Sequence, residues 1–542
     1  MGSLAPQSVL EQALTAKTIQ EYLAHSTSLD EPCVGIRSLS KYQQYSPRWI
    51  TDVSYRAVRY FTEQGVPVRE SRDGAMVCAI RMSTSIECIV SFFAFLHMGH
   101  VAFPVATNIT LQELDCILRD SKADFLVDGG LNGQSYKLLE LPTLRRLETY
   151  NMAEFAPPDV LHFINEADTA IILHSSGTTG LPKLITKSHS NLLFGLRGLP
   201  PPWRTHHILT SSWMYWIGGV AVLFFAMGRS GIRTCWTSQD TDDDDEASRT
   251  QKAKDMLTMT QPDLMLVSSS FLIPAARTME AIQVMQRCKL IINMGGVLPP
   301  YAAELLTSNG VPLATAYGLS ELPMVLYSSL ENIGDRLYWD YVQIPPSQEP
   351  HLSFRKLTAE EGGGDSNHPA LFELVASPTV PTLNPKFVNS STGYLHTGDI
   401  FIQHPTKDNQ FRCVGRLRDQ IRYLPNNVDA TLITTRPYED VIEKRHHQLI
   451  DAAMVIGDQR PRIALLTFAK PSLDYSVSDD VVRDAIWDTV VQNFPEFLQY
   501  GLAKDMIIVV RNAAVPRTRK GDILRPLALL KFGEAIDAVY CC

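Results

Sequence analysis

Residues 174–189 read HSSGTTGLPKLITKSH and follow the apolar run TAIIL. Serine and threonine hydroxyls, glycine amides and a lysine, gathered within ten positions, make a donor-rich turn suited to an anion. A nucleotide P-loop is one way to build such a turn, and the spacing excludes it. Counted from Gly177, the pattern GxxxxGK[ST] needs a glycine at 182 and a hydroxyl after the lysine; Pro182 and Leu184 stand there instead. What remains is a Ser/Thr/Gly loop, ending in Pro-Lys, that can hold a mobile polyphosphate.

The elements around this loop fix its setting. AMVCAI (75–80), ADFLVDG (123–129) and TAIIL (169–173) carry strand patterns, while SIECIVSFFAFLHMG (85–99) reads as a helix with an apolar face. DLMLVSSS (263–270) and KLIINMGG (289–296) repeat an apolar strand followed by a small or polar turn. This alternation predicts an α/β architecture with mainly parallel sheets between helices, and ligands gathered at the carboxyl ends of the strands. QDTDDDDEASRT (239–250) reads as a solvated, self-repelling loop. EGGGDSNHP (361–369) has the look of a carrier-domain serine motif but lies inside the catalytic region, and reads as a loop. The sequence changes character near residue 415, which predicts an N-terminal domain over 1–415 and a smaller α+β domain over 416–542.

Bulk properties narrow the function classes. At 542 residues, with 45% apolar and 20% charged positions, the chain has the composition of a globular protein of two or more domains. A net charge of −9 without basic stripes argues against nucleic acid. Nine scattered cysteines, none in a CxxC pair, suggest neither zinc nor a disulfide framework. The N-terminal residues lack a secretory pattern, and the apolar run from Trp213 to Gly228 is too short to span a bilayer. A cytoplasmic location with no stable membrane association is expected.

Six stretches together resemble the adenylate-forming superfamily, which includes acyl- and aryl-CoA ligases, adenylation domains of nonribosomal peptide synthetases, and luciferases. They are SSGTTGLPK (175–183), NMGGVLPP (293–300), TAYGLSE (315–321), GYLHTGDI (393–400), VGRLRDQIRY (414–423) and AVPRTRKGDILR (514–525), in the family's order. The texture is similar to fungal aryl- or nicotinate-type CoA ligases and to adenylation domains of fungal reductase-like synthetases.

The resemblance implies roles. Ser175, Ser176, Thr178, Thr179 and Lys183 would hold the ATP phosphates. Gly295 and Gly296 would border adenine, with Tyr317 stacking on it. Ser320 keeps the hydroxyl of the family's threonine, and Glu321 is a hard oxygen ligand suited to Mg2+. Asp399 and Arg416 would meet the ribose, and Arg418 occupies the hinge position. The terminal motif departs from the family: Gly521 is followed by Asp522 where a lysine is usual. Lys520, flanked by Arg517, Arg519 and Arg525, is the expected replacement cation over the reacting phosphate. Trp213, Tyr215, Trp216, Gly219, Ser269 and Ala316 are the expected walls of an acid pocket, shaped as a flat slot for a planar aromatic or heteroaromatic acid.

The expected activity is therefore ATP-dependent: Mg2+-assisted activation of a small carboxylic acid, as in fungal secondary metabolism, and transfer to a thiol. CoA is the expected acceptor because no carrier-like segment follows. The pantetheine arm of a separate carrier protein, an oxygen-consuming luciferase-like reaction and a catalytically silent nucleotide- or acid-binding protein are the alternatives.

Overall fold

The computed structural model describes residues 15–540, apart from 27–28, 39–40, 129–135, 152–161, 176–181, 198–206, 229–232, 237–245, 359–360, 362–369, 425–430, 472, 475 and 518–521. Ser176, Thr178, Thr179 and Lys520 lie outside the described residues, as do 362–369 of the carrier-like stretch.

Two sheets carry the first 416 residues. The six-stranded sheet runs, in spatial order, Lys137–Leu139, Phe125–Val127, Val77–Arg81, Val101–Val105, Thr169–Ser175 and Lys183–Ser188. Its first five strands are parallel, and only Lys183–Ser188 turns back. The 13-stranded sheet is parallel from Val34–Ser38 through Arg233–Trp236, His207–Thr210, Leu264–Val267, Leu290–Met294 and Leu313–Tyr317. Beyond Tyr317 it continues antiparallel, through the long pair Phe411–Arg416 and Leu395–Gln403 to Leu371–Ala376 and the edge strand Leu352–Lys356.

One apolar core joins both sheets. Ile171 and Leu173 from the first meet Ile208, Leu266 and Ile292 from the second through the helices Pro47–Glu63, Ile86–His97 and Ile217–Met227. Helices packed between two sheets explain why Ile86–His97 is buried nearly all round, so its sequence is apolar rather than striped. Ser85 caps that helix by accepting the Cys88 amide hydrogen bond. On the other face of the large sheet, Leu209, Met265 and Ile291 pack with Ala253, Met256 and Leu257 of the helix Glu246–Thr260. That helix corrects the loop expected over 239–250: Glu246–Thr250 are its first turns, and the apolar residues that follow hold them against the core.

A separate core begins at Ile421, built on the strands Ile450–Ile456, Ala464–Ala469 and Ile507–Val510 with flanking helices. It touches the larger body through Lys444 and Glu304, whose charged ends are 3.0 Å apart. The rings of Tyr301 and His447 also stack at 5.5 Å.

Candidate nucleotide and acid site

The donor-rich turn is closed by a hairpin. Thr169–Ser175 and Lys183–Ser188 pair antiparallel with Ser175 opposite Lys183, which brings the two ends of the loop together. Lys183 then reaches across to the second sheet, its Nζ donating to Glu321 Oε1 at 2.9 Å. Its ammonium also lies 4.6 Å from the Phe387 ring centroid. Two of the expected site residues, 138 positions apart, are thus in direct contact.

Tyr317 ends the last parallel strand of the large sheet. Its hydroxyl donates to Asp399 Oδ2 at 2.7 Å, and Asp399 Oδ1 lies 3.1 Å from Arg416 Nε. Asp399 and Arg416 face each other because the strands carrying them pair in that register. Burial pushes the Asp399 carboxyl above its ordinary value, with Arg416 and the Tyr317 hydroxyl opposing. Burial likewise raises the Tyr317 phenol. Each Asp399 oxygen keeps an acceptor site beyond these partners, so a diol can still be received.

Asp399 is held from behind by residues that sequence reading missed. Glu373, 1% exposed, accepts from Arg355 Nη2 at 2.7 Å and the Gly398 amide at 3.0 Å, and contacts His396 Nδ1 at 2.9 Å. Thr397 Oγ1 donates to the Leu374 carbonyl at 2.9 Å. Gly398 sits at φ +70°, a conformation that suits glycine, so the HTGD turn is fixed on both flanks.

Gly295 takes φ +83° and opens the turn toward Val297. Asn293 Nδ2 donates to the Gly296 carbonyl at 2.8 Å and steadies it. The Val297 amide in turn donates to Asp522 Oδ1 at 3.4 Å, so the terminal motif meets the glycine-rich loop. Arg525 does not face the site. Its Nη1 donates to the buried Glu439 at 2.7 Å, anchoring the motif inside the C-terminal core. Arg517 turns the same way, donating to the Asp451 carbonyl at 3.0 Å. Arg418, on the turn directly after Arg416, is partly exposed with Nε 3.8 Å from Asp419. Ser320 is half-buried beside Glu321.

The expected acid-pocket residues separate. Trp213 and Trp216 stack at 5.1 Å and border a small cleft with Ser211, Ser268 and Ser270. Ser268 bridges the other two serines, at 3.1 and 2.7 Å. Tyr215 is buried and stacks on His174 at 5.6 Å with planes 12° apart. Ser269 is buried at the start of the helix Ser269–Ala275, and Ala316 belongs to the inter-sheet core. Gly219 lies so close to the Trp213 carbonyl that a Cβ would collide with it.

Sequence reading also missed Lys187. It is 1% exposed, and its Nζ donates to the backbone carbonyls of Glu321 and Thr382, both at 2.8 Å. Its place four residues after Lys183, on the same strand, was the available signal. Among the described residues no cluster of three or more His, Cys, Asp or Glu forms a metal site. No helix there is long and apolar enough to cross a membrane.

The AMP-binding enzyme family profile matches residues 65–348, and the profile of that family's C-terminal domain matches 431–542. The chain belongs to the AMP-binding enzyme family. This AMP-binding enzyme is 22% identical over 523 residues to adenylate-forming reductase Nps11 of Serpula lacrymans, covering 90% of this chain and 46% of that one. It is 24% identical over 443 residues to a carboxylic acid reductase of Neurospora crassa, covering 75% and 39%. The chain spans less than half the length of these curated relatives. In fold it is similar to the adenylation domain of a Mycobacterium chelonae carboxylate reductase, with TM-score 0.73 at 15% identity over 99% of this chain and 94% of that one. It is also similar to the anthranilate CoA ligase AuaEII in complex with anthranoyl-AMP, with TM-score 0.69 at 15% identity over 99% and 98%.

Proposed function

We propose that this AMP-binding enzyme activates a carboxylic acid with ATP and passes the acyl group to a thiol. The observation that carries the reading is the 2.9 Å contact between Lys183 and Glu321, which joins the phosphate-loop hairpin to the strand that ends in Tyr317. Tyr317 offers adenine a flat face, Asp399 and Arg416 receive the ribose, and Gly295 and Gly296 let the backbone approach. Ser175, Ser176, Thr178, Thr179, Lys183 and Ser320 donate to phosphate oxygens.

A single carboxylate, Glu321, suits Mg2+, which takes one or two protein carboxylates and completes its shell with phosphate oxygens and water. When bound, that ion neutralises phosphate charge. The acid's carboxylate attacks the α-phosphorus, forming the acyl-adenylate and releasing pyrophosphate. A thiol then attacks the acyl carbon and AMP leaves. Lys520 supplies the cation for the first step in place of the residue at 522, and Arg418 serves as hinge between domains divided at 415/416. The Trp213–Trp216 cleft favours an aromatic or heteroaromatic acid of the benzoate or nicotinate kind, and CoA is the acceptor. A carrier-protein thiol is the second reading, favoured by relatives twice the length of this chain.

Pyrophosphate release across a panel of carboxylic acids, with and without CoA, tests this. The reading expects acid-dependent release, with thioester appearing only when CoA is added. Saturable ATP binding with no release for any acid would overturn it.

A further inference from the structure

A second cavity lies in the inter-sheet layer beside the loop that follows Glu321. Its walls are largely apolar, with Leu192, Phe224, Phe225, Leu264, Leu266 and Met324 among them. Lys187, Asn191, Tyr327, Gln348 and Thr382 bring polar atoms to that lining, and two of them, Lys187 and Gln348, stand out.

Both carry unmet polar demands. Lys187 donates to two neutral carbonyls, and among the described residues no carboxylate lies within ion-pair distance of its Nζ. A buried ammonium is stable only when its charge is compensated. The charges that act on it are Glu321, which favours the ammonium, and Lys386, which opposes it. Buried as it is, Lys187 is pushed down from 10.5 to about 7, so a nearby anion would decide whether it stays charged. On the same cavity wall, the buried Gln348 Oε1 has no hydrogen-bond partner, and a flipped amide presents its NH2 there instead.

We propose that this cavity binds an apolar-bodied carboxylic acid, an alkanoate or arylalkanoate, whose carboxylate supplies the counter-ion that Lys187 lacks. The proposal rests on the reading that the chain activates an acid, and replaces the benzoate- or nicotinate-like acid of that reading with one of longer apolar body. It places the acid's body between the sheets rather than in the cleft of Trp213 and Trp216.

Isothermal titration of the full chain with decanoate, 4-phenylbutyrate, decanol and nicotinate tests it, with pyrophosphate release measured in parallel. The two long acids are expected to bind, and Lys187→Met to weaken them about tenfold or more while leaving decanol unchanged. Ala221→Phe, which fills the cavity without touching the charge, is expected to abolish binding of acid and alcohol alike. Where Lys187→Met fails to fold, the unsubstituted protein still decides: decanoate affinity falls from pH 6 to pH 8.5 and decanol affinity does not. Equal binding of decanoate and decanol at every pH, or undiminished decanoate binding by Lys187→Met, overturns the proposal. Long acids that bind through Lys187 without pyrophosphate release sustain it and sink the ligase reading. Release driven by nicotinate alone, with no long acid bound, does the reverse.

Discussion

Asp522 Oδ1 accepts a hydrogen bond from the Val297 amide at 3.4 Å, across 225 residues of sequence. The terminal motif therefore closes on the glycine-rich loop with a carboxylate, and that charge also acts on Asp399 and Arg416. A negative side chain beside a site where phosphate charge develops works against the transition state. Asp522→Lys is expected to raise single-turnover acyl-adenylate formation about tenfold, and Lys520→Ala to lower it on the order of a hundredfold. Unchanged rates for Lys520→Ala would remove Lys520 from the reaction.

Lys183 is half-exposed, so its pair with Glu321 contributes at most about 1 kcal/mol to stability. Lys183→Ala and Glu321→Gln are therefore expected to melt within a few degrees of the parent. Both should lose adenylate formation by about a hundredfold, and Glu321→Gln should need more Mg2+ to reach half its maximal rate. A large drop in melting temperature with the activity per folded molecule intact would assign the pair to stability instead.

Tyr317 serves through its ring and its hydroxyl, and two substitutions separate them. Tyr317→Phe strips one donor from the buried Asp399, at about 1–3 kcal/mol of stability. It keeps the stacking face. Tyr317→Ala also loses about 1–3 kcal/mol of base stacking, so its KM for ATP should rise well beyond that of Tyr317→Phe. Equal KM values for the two variants would mean that adenine does not stack there.

Lys187 gives a pH signature. Its value in the folded chain is lowered from 10.5 to about 7, so between those limits the unfolded chain binds the extra proton. Folding stability from this group is then fully present above pH 10.5 and is lost as pH falls through 7. Urea denaturation at pH 7 and pH 9 should show a gain at the higher pH that Lys187→Met diminishes. An identical pH dependence in the variant would mean that Lys187 titrates normally.

Gly219 leaves no room for a side chain against the Trp213 carbonyl. Gly219→Ala should cost about 1–3 kcal/mol and displace the tryptophan pair, visible as changed tryptophan fluorescence at temperatures below the melt. A variant with native stability and native fluorescence would contradict that packing.

Much of the fold was legible because it is written in local patterns. Thr169–Ser175, Leu264–Val267 and Leu290–Met294 are short apolar runs bounded by small or polar turns, the mark of buried parallel strands. The residues expected at the nucleotide sit in short motifs on or just beyond strands, with Tyr317 closing Leu313–Tyr317 and Asp399 inside Leu395–Gln403. What stayed hidden depends on distant partners. The strand that Lys187 shares with Lys183 points to the site but does not mark Lys187 as buried, because its acceptors at 321 and 382 come from other elements. Glu373 looks like any strand carboxylate until Arg355, His396 and Gly398 converge on it. Tyr215 reads as a pocket wall through the family resemblance, and its stacking on His174 appears only in three dimensions.

The most direct test is the position of a bound adenosine nucleotide in a crystal of this chain. The account predicts adenine against the ring of Tyr317, ribose hydroxyls on Asp399 and phosphates inside the hairpin between Ser175 and Lys183. A well-ordered nucleotide elsewhere on the protein, distant from both Asp399 and Lys183, would contradict it.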